Sequence, residues 1–303
     1  MATETSVQGI RVLVTGATGK LGQLLVPRLL AEGVAVRALA RQPGRARQLL
    51  GPGVEVTAGD LGQPATLDAA LRGVTHLFLL SPIDPLLAVH QGNAIAAAER
   101  AGVQRIVKLS GSSWTTNPPG RSLSGDLHAA VERQLAQSGI AHVVLQPNAW
   151  AQVALGRLGA QLQQGDALTD PFDGARVAYI DARDIADVAV AALLHTAEWA
   201  PPEGEPWVLT GPESLDFGDL AAAAGAALGR KVAVQAPGSA TDAHADLPAF
   251  TAQVHAQFRQ LIAAGAAREA TPTVERVLGR PARSVLDHVA EQALSGTAAT
   301  ATA

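Results

Sequence analysis

The stretch Val12-Leu-Val-Thr-Gly16-Ala-Thr-Gly19-Lys-Leu-Gly22 decides the fold. An apolar β-like run breaks into glycines and then enters a helical pattern. That order puts a helix N-terminus, with its unpaired N–H groups, where a pyrophosphate can sit. Gly16 allows the tight turn, Gly19 lets the backbone approach the phosphates, and Gly22 lets the helix pack closely on the sheet. Such a glycine spacing is weak alone and gains its weight from context. Here it lies near the N-terminus, after a strand and before a helix, and a second strand follows at 34–38.

Working outward, β-like runs alternate with helical patterns through the first half. Strands are expected at 10–14, 34–38, 54–57, 76–80, 105–109 and 141–145, with helices at 21–32, 64–71, 86–101 and 127–137. The alternation implies a doubly wound parallel sheet with right-handed crossovers, an α/β Rossmann-like fold. Gly33, Gly102 and Gly139 follow three of these helices as C-terminal caps. Pro27 falls inside the first helix and predicts a kink.

The second half is less regular, with a strand at 206–209 and helices at 185–194, 215–228, 247–264, 273–278 and 283–292. Segments 150–179 and 231–280 interrupt the rhythm and read as a small, mostly helical substrate lobe. The division is then residues 1–150 for dinucleotide binding, 151–295 for completing the sheet and forming the lobe, and 296–303 as a disordered tail.

Composition narrows the function. The chain has 303 residues, 48% of them hydrophobic and 3% aromatic, with a net charge of −4. No long charge run is present, which argues against nucleic acid or an anionic membrane as partner. There is no cysteine, so thiolate chemistry and cysteine zinc sites are excluded. The eight histidines show no close ligand pair, so no metal site is expected. The polar start and the lack of a membrane-length apolar run point to a soluble cytoplasmic protein, a monomer or homodimer, acting on a small molecule.

The end of the second strand speaks to the cofactor. An NAD site places a carboxylate there for the ribose hydroxyls. This chain reads Val36-Arg37-Ala38-Leu39-Ala40-Arg41 instead. Arg41 stands where a 2′-phosphate lies, and a guanidinium can take that phosphate with two hydrogen bonds, which points to NADPH/NADP+. The other reading is a solvated helix start, which is preferred for Arg45 and Arg47. Asp60, before Leu61, either accepts from the adenine amino group or caps the turn at Gly62. Leu80 and Ser81 end the fourth strand and offer a floor to the cofactor ribose.

Taken together, several motifs resemble the NmrA-like branch of the atypical short-chain dehydrogenases/reductases over nearly the whole chain. They are Thr15-Gly-Ala-Thr-Gly-Lys-Leu-Gly22, Ala58-Gly-Asp60-Leu and Ala101-Gly-Val-Gln-Arg-Ile-Val-Lys-Leu-Ser110. They continue with His128-x-x-x-Glu132, Ser138-Gly-Ile and Leu145-Gln-Pro147-Asn148-Ala-Trp150. Ile180-Asp-Ala-Arg-Asp184-Ile-Ala and Thr273-Val-Glu-Arg-Val-Leu-Gly279-Arg-Pro281 complete the set. Triphenylmethane reductases and type-2 quinone oxidoreductases belong to the same resemblance. The branch also holds cofactor-binding regulators without turnover. The resemblance implies cofactor contacts at Gly16, Thr18, Gly19, Lys20, Leu21, Gly22, Arg41, Asp60, Leu61, Leu80, Ser81, Ser110, Pro147 and Asn148.

One departure bears on mechanism. The superfamily donates a proton from the Tyr of Tyr-x-x-x-Lys, but the matching helix here carries His128-Ala-Ala-Val-Glu132, and Tyr179 is the sole tyrosine. His128 is a candidate acid, since an imidazole near a pKa of about 6.5 can donate at neutral pH. It can equally be a polar residue opening a helix, with Glu132 paired at i+4. Ser112 matches the family serine and either orients a carbonyl or caps backbone. Trp114 and Trp150 are either walls of the substrate pocket or core. Asp181 and Asp184 read as helix caps.

The expected function is NADPH-dependent hydride transfer to a small aromatic or conjugated acceptor (a quinone, enone, imine or similar) without the usual acid. The alternative is a non-catalytic NADP(H)-binding redox sensor.

Overall fold

The computed structural model describes residues 7–197, 199–202, 204–237 and 247–300. The expectations for residues 1–6, for 238–246 of the second lobe segment and for 301–303 of the tail lie outside the described residues. In chain order the first half holds β1 (Arg11–Val14), α1 (Lys20–Ala31), β2 (Ala35–Ala40), α2 (Pro43–Leu50), β3 (Glu55–Ala58), α3 (Pro64–Ala70), β4 (His76–Leu79) and α4 (Leu87–Ala101). It continues with β5 (Arg105–Leu109), α5 (Ser113–Thr116), α6 (Leu123–Gln137) and β6 (Ala141–Pro147). The second half holds α7 (Ala151–Ala154), α8 (Leu158–Gln164), β7 (Ala167–Thr169), α9 (Ala182–Leu194), β8 (Trp207–Leu209), α10 (Phe217–Leu228), β9 (Ala233–Gln235), α11 (Ala249–Ala263), α12 (Thr273–Leu278) and α13 (Val285–Thr300).

The main sheet is parallel throughout, in the order β3-β2-β1-β4-β5-β6-β8. Strand order reverses between β1 and β4, and ligands of open α/β sheets bind outside the carboxyl ends of the strands at that reversal. Side chains alternate across the sheet. Val12 and Val14 join the core under α1 and α9, while Leu13 joins the core under α3, α4 and α6. Both faces are covered, which is why the strands read as almost continuous apolar runs.

A third core holds the lobe together. Leu158 and Leu162 of α8, Leu220 and Ala224 of α10, and Val285 and Val289 of α13 meet there, with Tyr179 buried among them. The lobe is not wholly helical, because β7 and β9 pair as a second parallel sheet. Both strands have three residues, too short for an alternating pattern to show in the sequence.

One local expectation changes. α6 starts at Leu123 rather than 127, because the Ser122 hydroxyl accepts from the Gly125 N–H at 3.0 Å and caps an earlier turn. α1 runs through Pro27 as one helix, so the proline forfeits one hydrogen bond without ending it, and continuity alone does not test the expected kink.

Candidate active site

The glycine turn is anchored from below. The Thr15 hydroxyl donates to the Leu80 carbonyl at 2.7 Å and accepts from the Leu80 N–H at 2.8 Å, fixing the turn to the end of β4. Gly16 has φ +66°, and a Cβ there would stand 3.1 Å from Leu80 Cγ. Gly19 caps α1 and donates its N–H to the Gly16 carbonyl at 2.9 Å. At Gly22 a Cβ would overlap the carbonyl oxygens of Gly16 and Ala17. Its role is therefore to let α1 close onto the turn itself, not onto the sheet.

This turn forms one wall of a cavity of about 850 Å³ at the carboxyl edge of the sheet. Gly16, Thr18, Gly19, Lys20, Leu21, Arg41, Asp60, Leu61, Leu80 and Ser81 all line it, as does Trp150. The first-turn N–H groups of a helix have no partner within the helix, and Lys20 and Leu21 supply two of them here. The cradle fits a pyrophosphate on this geometry.

Arg45, read as a solvated residue at the helix start, is exposed and also lines the cavity beside Arg41. Both are at least partly exposed, and neither bonds to another described residue. Two guanidiniums without anions at the end of β2 fit a 2′-phosphate. Asp60 caps the turn, since its Oδ1 accepts from the Gly62 N–H at 2.8 Å, and it also lines the cavity.

Of the expected residues beyond β5 and β6, Trp150 lines that cavity, whereas Ser110, Ser112, Trp114, Pro147 and Asn148 do not. The Ser112 hydroxyl donates to the Pro147 carbonyl at 2.7 Å. Asn148 Oδ1 accepts from Trp114 Nε1 at 2.7 Å and from the Ala149 N–H at 2.8 Å, while its Nδ2 donates to the Ala267 carbonyl at 2.9 Å. Asn148 is thus a buried clamp between sheet and lobe. Trp114 lies in the lobe core, edge-on to Phe258 with centroids 5.6 Å apart, rather than in the cavity wall.

His128 is also buried, at 4% exposure. Its Nδ1 lies 3.0 Å from the ammonium of Lys108. Burial first, and that positive neighbour second, hold the imidazole well below its ordinary pKa. That shift favours the neutral imidazole and speaks against the reading of His128 as the proton donor. Glu132 does not pair with it. The Ser110 hydroxyl donates to Glu132 Oε1, and Gln146 Nε2 donates to the same oxygen at 3.1 Å. Tyr179 is buried in the lobe core with no hydrogen-bond partner for its hydroxyl among the described residues. Burial, then the nearby Asp170 and Asp216 carboxylates, push its pKa up.

Lys108 escaped the sequence reading. It is wholly buried and donates to Ser110 Oγ at 2.9 Å. Burial pulls its pKa down to about 7, against the opposing pull of Glu132. The signal was present: Lys108 shares the strand face of Ile106 in a sheet covered on both sides, where a lysine is costly. Among the described residues, no cluster of three or more His, Asp or Glu is placed to hold a metal. No described helix is long and apolar enough to cross a membrane.

A family model described as NAD(P)H-binding matches residues 16–196. The chain belongs to this NAD(P)H-binding family. The match begins at Gly16 of the turn and ends just past α9, so it spans β2 to β6 and every residue lining the cavity except Thr15. The chain is 36% identical over 224 residues to the NAD(P)H azoreductase of Xenophilus azovorans, covering 73% of this chain and 75% of that one. It is 33% identical over 287 residues to the (4-alkanoyl-5-oxo-2,5-dihydrofuran-3-yl)methyl phosphate reductase of Streptomyces griseus, covering 93% and 98%. Among solved structures it resembles the NADPH-dependent quinone oxidoreductase QOR2 of Escherichia coli complexed with NADPH. That match has a TM-score of 0.78 at 28% identity and covers 92% of this chain and 99% of the other.

Proposed function

We propose that this NAD(P)H-dependent oxidoreductase reduces a small aromatic or conjugated organic acceptor and prefers NADPH as its donor. One observation carries the reading: a single cavity joins the glycine turn and the Arg41–Arg45 pair to the indole of Trp150. When bound, the reduced nicotinamide supplies a hydride. The turn from Gly16 to Leu21 holds the pyrophosphate on backbone N–H groups. Arg41 and Arg45 take the 2′-phosphate, and Leu80 and Ser81 back the ribose. Trp150 gives a flat apolar wall on which an aromatic acceptor can stack.

Tyr179 is buried away from this cavity, so the usual tyrosine acid plays no part. A conjugated acceptor suits such a site because it spreads the charge it receives. The azoreductase and quinone oxidoreductase among the relatives carry names of conjugated acceptors, which supports the same class.

The test is NADPH consumption against quinones, azo dyes, enones, imines and triphenylmethane dyes. Acceptor-dependent turnover with at least one class is expected. Micromolar NADPH binding without turnover of any class would overturn the reading. It would favour redox sensing instead, for which Ile83, Leu86 and Val89 offer an exposed apolar surface beside the cavity residues Pro82 and Asp84.

A further inference from the structure

Two side chains of α4, two residues apart, reach two different walls of the cavity. Gln91 Nε2 donates to Ser81 Oγ at 3.0 Å, and Asn93 Nδ2 donates to the Leu61 carbonyl at 2.8 Å. Ser81 and Leu61 both line the cavity. Leu61 follows β3, beside β2, whose end leads into Arg41. Ser81 follows β4, and across the end of β5 from it stands Trp150, beyond β6. Asn93 thus holds the wall on the side of the arginine pair, and Gln91 holds the wall on the side of the indole.

The hydrogen bonds at Ser81 continue the clamp on the glycine turn. Thr15 grips the N–H and the carbonyl of Leu80. At the next residue the Ser81 hydroxyl accepts from Gln91 and donates to the Pro82 carbonyl at 3.3 Å, which is long for a bond between oxygens. The Gln91 bond is therefore the better of the two that close the Ser81–Pro82 corner.

Packing does not ask for a glutamine here. α4 is already seated by Leu87, Ala94, Ile95 and Ala98, which share a core with Leu77 and Leu79 of β4. Gln91 is wholly buried, and its Oε1 accepts from no group among the described residues. A buried acceptor left unmet lowers stability, and such an exception in a native structure asks for an explanation.

We propose that Gln91 is a positioning residue for the nicotinamide half of the cofactor. Through Ser81 it holds the β4 wall of the cavity in the shape that this half requires, and its own Oε1 goes unmet as a result. A wall set before binding spares the ordering that binding would otherwise have to supply. The inference rests on the reading of this cavity as the cofactor site. Asn93 holds the Leu61 corner in the same way, on the side of the 2′-phosphate, and serves as the control.

Calorimetry on the full-length protein tests the proposal with two probes, NADP+ and 2′,5′-ADP, which carries the adenosine half alone. Gln91→Met keeps much of the shape of glutamine without its polar atoms. It should weaken NADP+ by about three- to tenfold, the usual range for one hydrogen bond, and leave 2′,5′-ADP unchanged. Asn93→Leu should weaken both probes. Ser81→Ala removes the other end of the bond and stands in if Gln91→Met does not fold. It should match the loss for NADP+, and the double variant should lose no more than either single one. Urea unfolding should show the opposite sign, with the midpoint of Gln91→Met at or above that of the wild type, because the unmet acceptor is gone. A destabilised Gln91→Met that binds NADP+ as the wild type does would overturn the proposal. So would equal weakening of both probes by Gln91→Met, or additive losses in the double variant. The NADP+ cycle decides alone if 2′,5′-ADP binds too weakly to titrate. A wild-type protein that binds neither NADP+ nor NADPH would instead overturn the reading of the cavity.

Discussion

The ammonium of Lys20 donates to the backbone carbonyl of Gln152 at 2.9 Å. This bond joins the first turn of α1 to α7, immediately after Trp150. The Gln152 side chain extends the link, since its Oε1 accepts from the Ala182 N–H at 2.8 Å at the start of α9. The phosphate cradle and the proposed acceptor wall are therefore mechanically connected. Lys20→Met should raise the acceptor KM several-fold, as expected for one exposed charge-assisted bond of roughly 1 kcal/mol. NADPH affinity measured by calorimetry on the same variant should change less than the acceptor KM.

The arginine pair sets cofactor choice. NADPH should bind at least about tenfold tighter than NADH, or about 1.4 kcal/mol. Arg41→Ala and Arg45→Ala should each remove part of this preference, and the double variant should remove nearly all of it. Calorimetric titration with both nucleotides measures it, and equal affinities in the wild type would contradict the assignment.

Gly22 permits no side chain. A methyl there meets two carbonyl oxygens of the turn, so the turn or the helix must shift. Gly22→Ala should lose dinucleotide binding while circular dichroism still shows a folded protein. Gly19→Asp should do the same for a different reason, because it sets a carboxylate against the pyrophosphate.

His128 is expected to matter for structure rather than as a proton donor. His128→Ala removes the partner of a buried ammonium and should cost roughly 1–3 kcal/mol in urea unfolding. The rate of acceptor reduction should show no break in pH attributable to the imidazole, because that group is already neutral well below its ordinary pKa.

Acid sensitivity should appear at the joint between sheet and lobe. Asp187 receives Arg28 at 2.6 Å and Arg283 at 2.9 Å. Burial raises its pKa, but the hydrogen bonds from the two arginines outweigh burial and hold it below the ordinary carboxylate value. A carboxylate with a depressed folded pKa adds stability above its unfolded pKa and loses it as pH falls through the folded one. Asp187→Asn should therefore destabilise the protein near neutral pH and flatten the acid limb of its stability profile. Thermal unfolding between neutral pH and pH 3 would record both effects.

The fold was legible because its signals are local. Short apolar runs placed the strands from β1 to β6, and the glycine turn fixed the switch point. The cavity residues on β1, β2 and β4 followed, since each lies within a few positions of a strand end. What the sequence hid was partnership across the chain. Nothing near Ser112 announces that its hydroxyl serves the Pro147 carbonyl. Likewise nothing near Asn148 announces a bond to Ala267, 119 residues away. His128 and Glu132 sit at the spacing of a helical pair, yet strand residues Lys108 and Gln146 and the loop residue Ser110 take them up instead. Helical periodicity shows which residues share a face, but not what stands opposite that face.

The most direct test of hydride transfer uses NADPH carrying deuterium at the transferable C4 position. The acceptor should be one that turns over and receives the hydride on carbon, such as an enone or a triphenylmethane dye. Mass spectrometry of the reduced product should show one deuterium per molecule, bound to carbon and retained in water. Reduced product without deuterium, or NADPH bound but consumed no faster with any acceptor than without, would contradict the account.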